Sequence, residues 1–66
     1  MDSIRNTVYE HRRRAALTQE QLAEKAGVTR QTVIAIEKGN YAPSVALALR
    51  LAAIFKTSVE ALFSIK

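Results

Sequence analysis

The stretch that most narrows what this chain can become runs from Gln19 to Lys38, QEQLAEKAGVTRQTVIAIEK. Two short helices crossing steeply through a tight turn leave little room where they touch. The first therefore needs a small side chain at the contact, and the corner needs a residue free to take positive φ. Ala23 and Gly27 supply these. The first helix must also bury apolar side chains one turn apart, the turn must plug itself, and the second helix must bury two positions three apart. Leu22 with Ala26, then Val28, then Val33 with Ile36 meet those demands in order. A glycine after a helix is by itself an ordinary stop signal. Seven constrained positions agreeing at fixed spacing is a specific signal.

At 100° per residue, Val33 and Ile36 fix the buried stripe of the second helix, so its opposite face presents Arg30, Gln31, Ile34, Ala35 and Lys38. Arginine can grip guanine O6 and N7, and glutamine adenine N6 and N7. The pattern therefore predicts a helix-turn-helix over residues 19–38 whose second helix reads base edges, with Arg30 and Gln31 as the leading contacts. Ile34 reads either as a rest for a thymine methyl or as a scattered surface apolar residue, and Ala35 as a small residue permitting close approach. Thr29 is first a helix cap, with any DNA contact secondary.

The rest of the chain reads as helices with recognisable ends. Asn6 is a good N-cap for a first helix running to Ala15 or Ala16, with Val8, His11, Arg12 and Ala15 turned inward. Thr18 with Gln21 forms a capping box for the second helix, which ends at Ala26, and Thr29 caps the third, which runs to about Lys38. After the loop Gly39 to Pro43, Ser44 caps a fourth helix, roughly Val45 to Phe55, and Thr57 with Glu60 forms a box for a short fifth ending near Phe63. His11 reads as a packed, neutral residue at the core edge, with a pH switch as the alternative. Whether Met1 to Arg5 and Ser64 to Lys66 fray or pair as a short ribbon is left open by the sequence.

Sixty-six residues make one small domain, 1–66, burying only about 60% of the surface it exposes when unfolded, so stability is expected to be marginal without a partner. Ten Lys and Arg against six Asp and Glu give a net +4, shared equally between residues 1–40 and 41–66, which favours a polyanionic partner without proving one. Having no cysteine, the chain lacks any disulfide or thiolate metal site, and a single His makes zinc improbable, so neither metal nor cofactor is expected. Paired carboxylates, a Ser-His-Asp set and a phosphate loop are all absent, and an enzyme is not expected. No apolar run reaches the roughly 20 residues of a membrane span or the length of a signal peptide, so a cytoplasmic protein, nucleoid-associated when bound to DNA, is expected.

Helix four, VALALRLAAIF, carries Arg50 as its only charge. Val45, Ala48, Leu51, Ala52 and Phe55 make a core stripe, while Leu47, Leu49, Ala53 and Ile54 extend it nearly all round. A helix apolar on most sides must be covered on most sides. A homodimer is therefore expected, with Leu47, Ile54, Phe63 and Ile65 at its interface; the other reading puts Leu47 and Leu49 under the loop after helix three and under helix five.

LTQEQLAEKAGVTRQTVIAIEKGNYAPS, followed by a helix and VEALF, resembles the Xre/Cro family of phage and bacterial repressors over about residues 6–63, in its short single-domain form. The resemblance implies an all-α domain of five helices whose third enters the major groove. It further implies that Gln19 bonds a phosphate where helix amides add their own attraction, that Arg12 pairs with Glu37, that Lys38 and Asn40 lie near backbone phosphate, and that dimers form through helix five and the flank of helix four. The chain departs from the family at Ala16 and Lys56, where glycine usually ends helices one and four, and at His11, where a large apolar residue or Tyr is usual. Arg12, Arg13 and Arg14 complement the dipole at the end of helix one, and a phosphate contact falls to Arg13 or Arg14 rather than Arg12.

The expected function is sequence-specific binding of double-stranded DNA as a homodimeric transcriptional regulator, a repressor acting at a roughly palindromic operator. The alternative is an antitoxin-like module that holds a toxin or other protein partner on helices four and five, with DNA binding secondary.

Overall fold

The computed structural model describes residues 4–65. A short strand β1 (Ile4–Asn6) leads into α1 (Val8–Arg14), followed by α2 (Gln19–Ala26), α3 (Arg30–Glu37), α4 (Val45–Phe55), α5 (Val59–Leu62) and a closing strand β2 (Phe63–Ile65). The five expected helices are present, but the domain is not purely α. The two strands pair antiparallel, with Ile4 opposite Ile65, Arg5 opposite Ser64 and Asn6 opposite Phe63. Three residues per strand are too few for an alternating pattern to declare itself. Of the terminal segments left open by the sequence, Met1 to Ser3 and Lys66 lie outside the described residues.

Helix starts follow the side-chain caps in most cases. Thr18 Oγ1 accepts from the Gln21 amide at 3.0 Å while Gln21 Oε1 accepts from the Thr18 amide at 2.9 Å, completing the expected box. Thr29 and Ser44 accept from the Thr32 and Leu47 amides at 3.2 and 3.1 Å. Two expectations need correction. The cap of α5 is Ser58, whose Oγ accepts from the Ala61 amide at 3.1 Å, because the Thr57 amide is already committed to the Ala52 carbonyl at 2.9 Å. Helix α1 begins after Thr7, with Asn6 one step further out in the ribbon. Asn6 still serves the helix start, accepting from the Val8 amide at 3.1 Å, and its Nδ2 donates to the Ile36 carbonyl at 2.8 Å, a terminal acceptor of α3.

Four helix ends repeat one motif. After α1, α2, α3 and α4 the chain places Ala16, Gly27, Gly39 and Lys56 in the left-handed region, at φ 59°, 72°, 79° and 54°. Each is followed by an amide that reaches back five residues: Leu17 to Arg12, Val28 to Ala23, Asn40 to Ala35 and Thr57 to Ala52. A Cβ on Gly27 would meet open space, so the demand at that corner is on φ and not on room. Glycine meets it freely, whereas Ala16 and Lys56 each carry a cost of the order of 1 kcal/mol. Ala16→Gly is therefore expected to raise the unfolding free energy by about 0.5–1 kcal/mol in urea titration; a loss of stability would show that the alanine methyl makes compensating contacts.

The core is assembled where α1, α2, α3, α4 and α5 meet, around the fully buried Val8, Leu22, Val33, Ile36, Leu51 and Leu62. Leu17, Val28 and Phe55 pack against it from the edge. Helix α4 turns differently from the expected stripe. Val45 is 76% and Leu49 57% exposed, whereas Leu47 is 3% exposed and belongs to the core. Leu47 is thus corrected from an interface candidate to a core residue and Val45 from the stripe to the surface, while Ala48, Leu51 and Ala52 are buried as expected: the inward stripe of α4 is shifted towards Leu47, and Leu49 and Ala53 stay outside it. Ala15 is exposed rather than turned inward.

Candidate nucleic-acid interface

Helices α2 and α3 make the most extensive packing in the molecule. Ala23, 3% exposed, is the small residue on α2 at this contact, and the chain leaves α2 through Gly27. Val33 and Ile36 are each 1% exposed and hold α3 down, which turns Arg30, Gln31 and Lys38 to solvent. Ile34 and Ala35 lie half-buried beside them, and Thr29, exposed, is occupied as the cap of α3. Asn40 is exposed in the loop beyond, its amide tied to the Ala35 carbonyl at 2.9 Å.

A second group sits at the start of α2. Arg12, Thr18, Gln19, Glu20 and Arg30 line one polar crevice, so the structure brings Gln19 and Arg30 together. Beneath it, Arg12 Nε donates to Glu37 Oε2 at 2.6 Å, Nη2 to Glu37 Oε1 at 3.3 Å and Nη1 to the Leu17 carbonyl at 2.9 Å. The pair is largely sealed, with side chains 10% and 7% exposed. Glu37 also accepts from Gln19 Nε2 at 3.1 Å. One amide hydrogen of Gln19 is spent on that bond, which orients the group and leaves the other to donate. The carboxylate thus fastens α1 to α3 and aims Gln19 at once.

Arg13 and Arg14 do not join this crevice. Arg13 is exposed and lies with Tyr9 and Glu10, its Nη1 donating to Tyr9 Oη at 3.2 Å. Arg14 lines the same hollow as Tyr9, Glu10 and Arg13 and also borders the groove between α1 and α4. The residue that sequence reasoning passed over is Tyr9. Its ring lies under both Arg12 and Arg13, with guanidinium carbons 5.2 and 5.7 Å from the centroid. The signal was in the spacing, since an aromatic residue three and four positions before two arginines lies on their side of a helix. His11 is half-buried against Phe55, ring centroids 5.6 Å apart, and its Nδ1–H donates to the Thr7 carbonyl at 2.9 Å.

The four expected interface residues do not form one surface. Leu47 is core, and Phe63 lines an apolar groove with Ile4, Pro43, Val45, Leu49 and Val59. Ile65, 71% exposed, pairs across the ribbon with Ile4 at that groove's edge. Ile54 lies on the other flank of α4, roughly 140° of helix rotation from Leu49, where it lines a different groove.

No helix among the described residues is long and apolar enough to cross a membrane. Residues 8–62 match the family model described as Helix-turn-helix. Among similar proteins, an uncharacterized HTH-type transcriptional regulator of Methanothermobacter thermautotrophicus is 52% identical over 61 residues, covering 91% of this chain and 88% of the relative. The uncharacterized HTH-type transcriptional regulator YgzD of Bacillus subtilis is 50% identical over 60 residues, covering 91% of both chains. A third, from Methanocaldococcus jannaschii, is 48% identical over the same share of each.

Proposed function

This chain belongs to the Xre/Cro-type helix-turn-helix family, and from that premise we propose that it is a DNA-binding transcriptional regulator with α2 and α3 as its reading unit, spanning residues 19–38 of a single domain. The observation that carries the reading is the exposure of Arg30, Gln31 and Lys38 on a helix held from behind by Val33 and Ile36. Arg30 and Gln31 near the start of α3 read base edges, with Ile34 and Ala35 against the groove floor and Thr29 beside them. Gln19, oriented by Glu37, donates to a phosphate at the start of α2, and Lys38 and Asn40 hold the backbone beyond α3. Arg13 extends that backbone contact from α1. Arg14, which lines the hollow beside Arg13 as well as the groove with Phe55 and Lys56, adds to the attraction for that backbone.

The protein acts as a homodimer, setting two α3 helices in successive major grooves about 34 Å apart on a roughly palindromic site. Repression in the cytoplasm follows from occupancy of a promoter. The apolar groove beside the ribbon supports the dimer, with Val45, Leu49, Phe63 and Ile65 as the contact in place of Leu47 and Ile54. Leu49→Glu is expected to move the sedimenting species from dimer to monomer without loss of helical signal; an unchanged sedimentation profile would put the contact elsewhere.

Selection from random DNA supplies the site on which the reading is tested. Arg30→Ala and Gln31→Ala should each cost about 1–3 kcal/mol on the selected site and little on unrelated duplex. Equal losses on both duplexes would refute base reading. Binding by the parent chain should fall by orders of magnitude between roughly 50 and 200 mM salt.

A further inference from the structure

The C-terminal ends of α1, α2 and α4 converge on two shallow grooves that share Ala15 and Ile54 and so form one continuous face. Its floor is apolar, made of Ala15, Leu17, Ile54 and Phe55, and its rim carries Arg14, Lys25 and Lys56. His11 is the only other titratable lining residue, and no Asp or Glu lines either groove. Among the described residues none of the three rim cations is paired with a carboxylate. None of the lining residues comes from α3 or from the loop that follows it.

A cation at each helix C-terminus complements the helix dipole, which accounts for the charges taken singly. It does not account for their convergence on one apolar floor, whose Leu17, Ile54 and Phe55 pack on the core from one side and leave part of their surface to solvent. Lys56, in the left-handed region at φ 54°, stands on this rim. A lysine there places an ammonium on the rim at a backbone cost that glycine would avoid.

We propose that this face docks a short acidic and apolar peptide segment of a partner protein. One or two large apolar side chains rest on Leu17 and Ile54 while flanking carboxylates meet Arg14, Lys25 and Lys56. A second copy of the same face is disfavoured, because it would bring two cation rims together. Nucleic acid would answer the rim and leave the floor unused. Because α3 is not part of the face, the segment binds the regulator on or off DNA and offers a control input to a domain this small. This inference is independent of the DNA reading and of the dimer contact beside the ribbon.

The test is a selection of random dodecamer peptides displayed against the full-length chain, followed by titration of the best synthetic peptide into isotope-labelled protein. The expected peptides combine one or two Leu, Ile, Phe or Met with an excess of Asp and Glu. They shift the amide resonances of Ala15, Leu17, Lys25 and Ile54, and they weaken at least tenfold on Lys25→Glu and on Lys56→Glu, both exposed positions whose circular dichroism should stay that of the parent. Arg30→Ala leaves the affinity unchanged. Selected peptides without an acidic excess, shifts confined to Arg30, Gln31 and Lys38, or undiminished binding to both lysine variants would overturn the proposal. So would the same resonances moving with anionic lipid vesicles and with no selected peptide.

Discussion

Glu37→Ala is expected to lower the unfolding free energy by about 3–5 kcal/mol, the usual cost of leaving one member of a buried ion pair without the other. The Arg12 side chain is 10% exposed, and two of its three hydrogen bonds end on Glu37. Removing the carboxylate strands the guanidinium between α1 and α3 with the Leu17 carbonyl as its one remaining hydrogen-bond acceptor and the Tyr9 ring beside it. A domain of this size has about 3–5 kcal/mol to lose, so urea titration should find the variant largely unfolded before denaturant is added. Arg12→Met with Glu37→Leu removes both charges and should recover a substantial part of the loss, because the desolvation cost disappears with the attraction. A single-variant loss below about 1 kcal/mol, the range of exposed pairs, would mean that water reaches the pair.

Leu47→Ala is expected to cost about 2–5 kcal/mol, and Leu49→Ala, about 200° round the same helix, well under 1 kcal/mol in the monomer. Leu47 is 3% exposed within the core and Leu49 57% exposed. Truncating the first leaves a cavity among packed side chains; truncating the second removes surface that water already covers. Thermal unfolding of the two variants side by side decides it. Equal losses would contradict the burial of Leu47 and the exposure of Leu49 on α4.

The edge of the α4 stripe was ambiguous in the sequence. The α2–α3 corner was legible because each position there answers a separate steric demand: Ala23 for room, Gly27 for φ, Val33 and Ile36 for burial. Single-residue caps were legible for the same reason, as at Thr18, Thr29 and Ser44. Helix α4 offered less contrast: Ala48, Leu51 and Ala52 are buried as read, but with Leu47, Leu49, Val45 and Ile54 all apolar the periodicity could not say which of them bounded the stripe. The ribbon was hidden by its three-residue strands, and with it the reason Asn6 caps α1 from one step outside while bonding the Ile36 carbonyl. At the site, exposure of Arg30, Gln31 and Lys38 was foreseeable from the buried stripe opposite them. The separation of Arg13 and Arg14 from the Gln19 crevice was not, because adjacent helix residues diverge by about 100° and nothing in a run of three arginines says which one points where.

DNA reading by this chain requires that the outer side of α3 be the surface that meets base pairs. Its most direct test is the pattern of amide and side-chain resonance changes when the full-length chain is mixed with the duplex recovered by site selection, at stated salt. The largest changes should fall on Arg30, Gln31 and Ile34, with Gln19, Lys38 and Asn40 beside them, and unrelated duplex should move mainly the last three. Changes centred on α4 and α5, with α3 undisturbed, would contradict it.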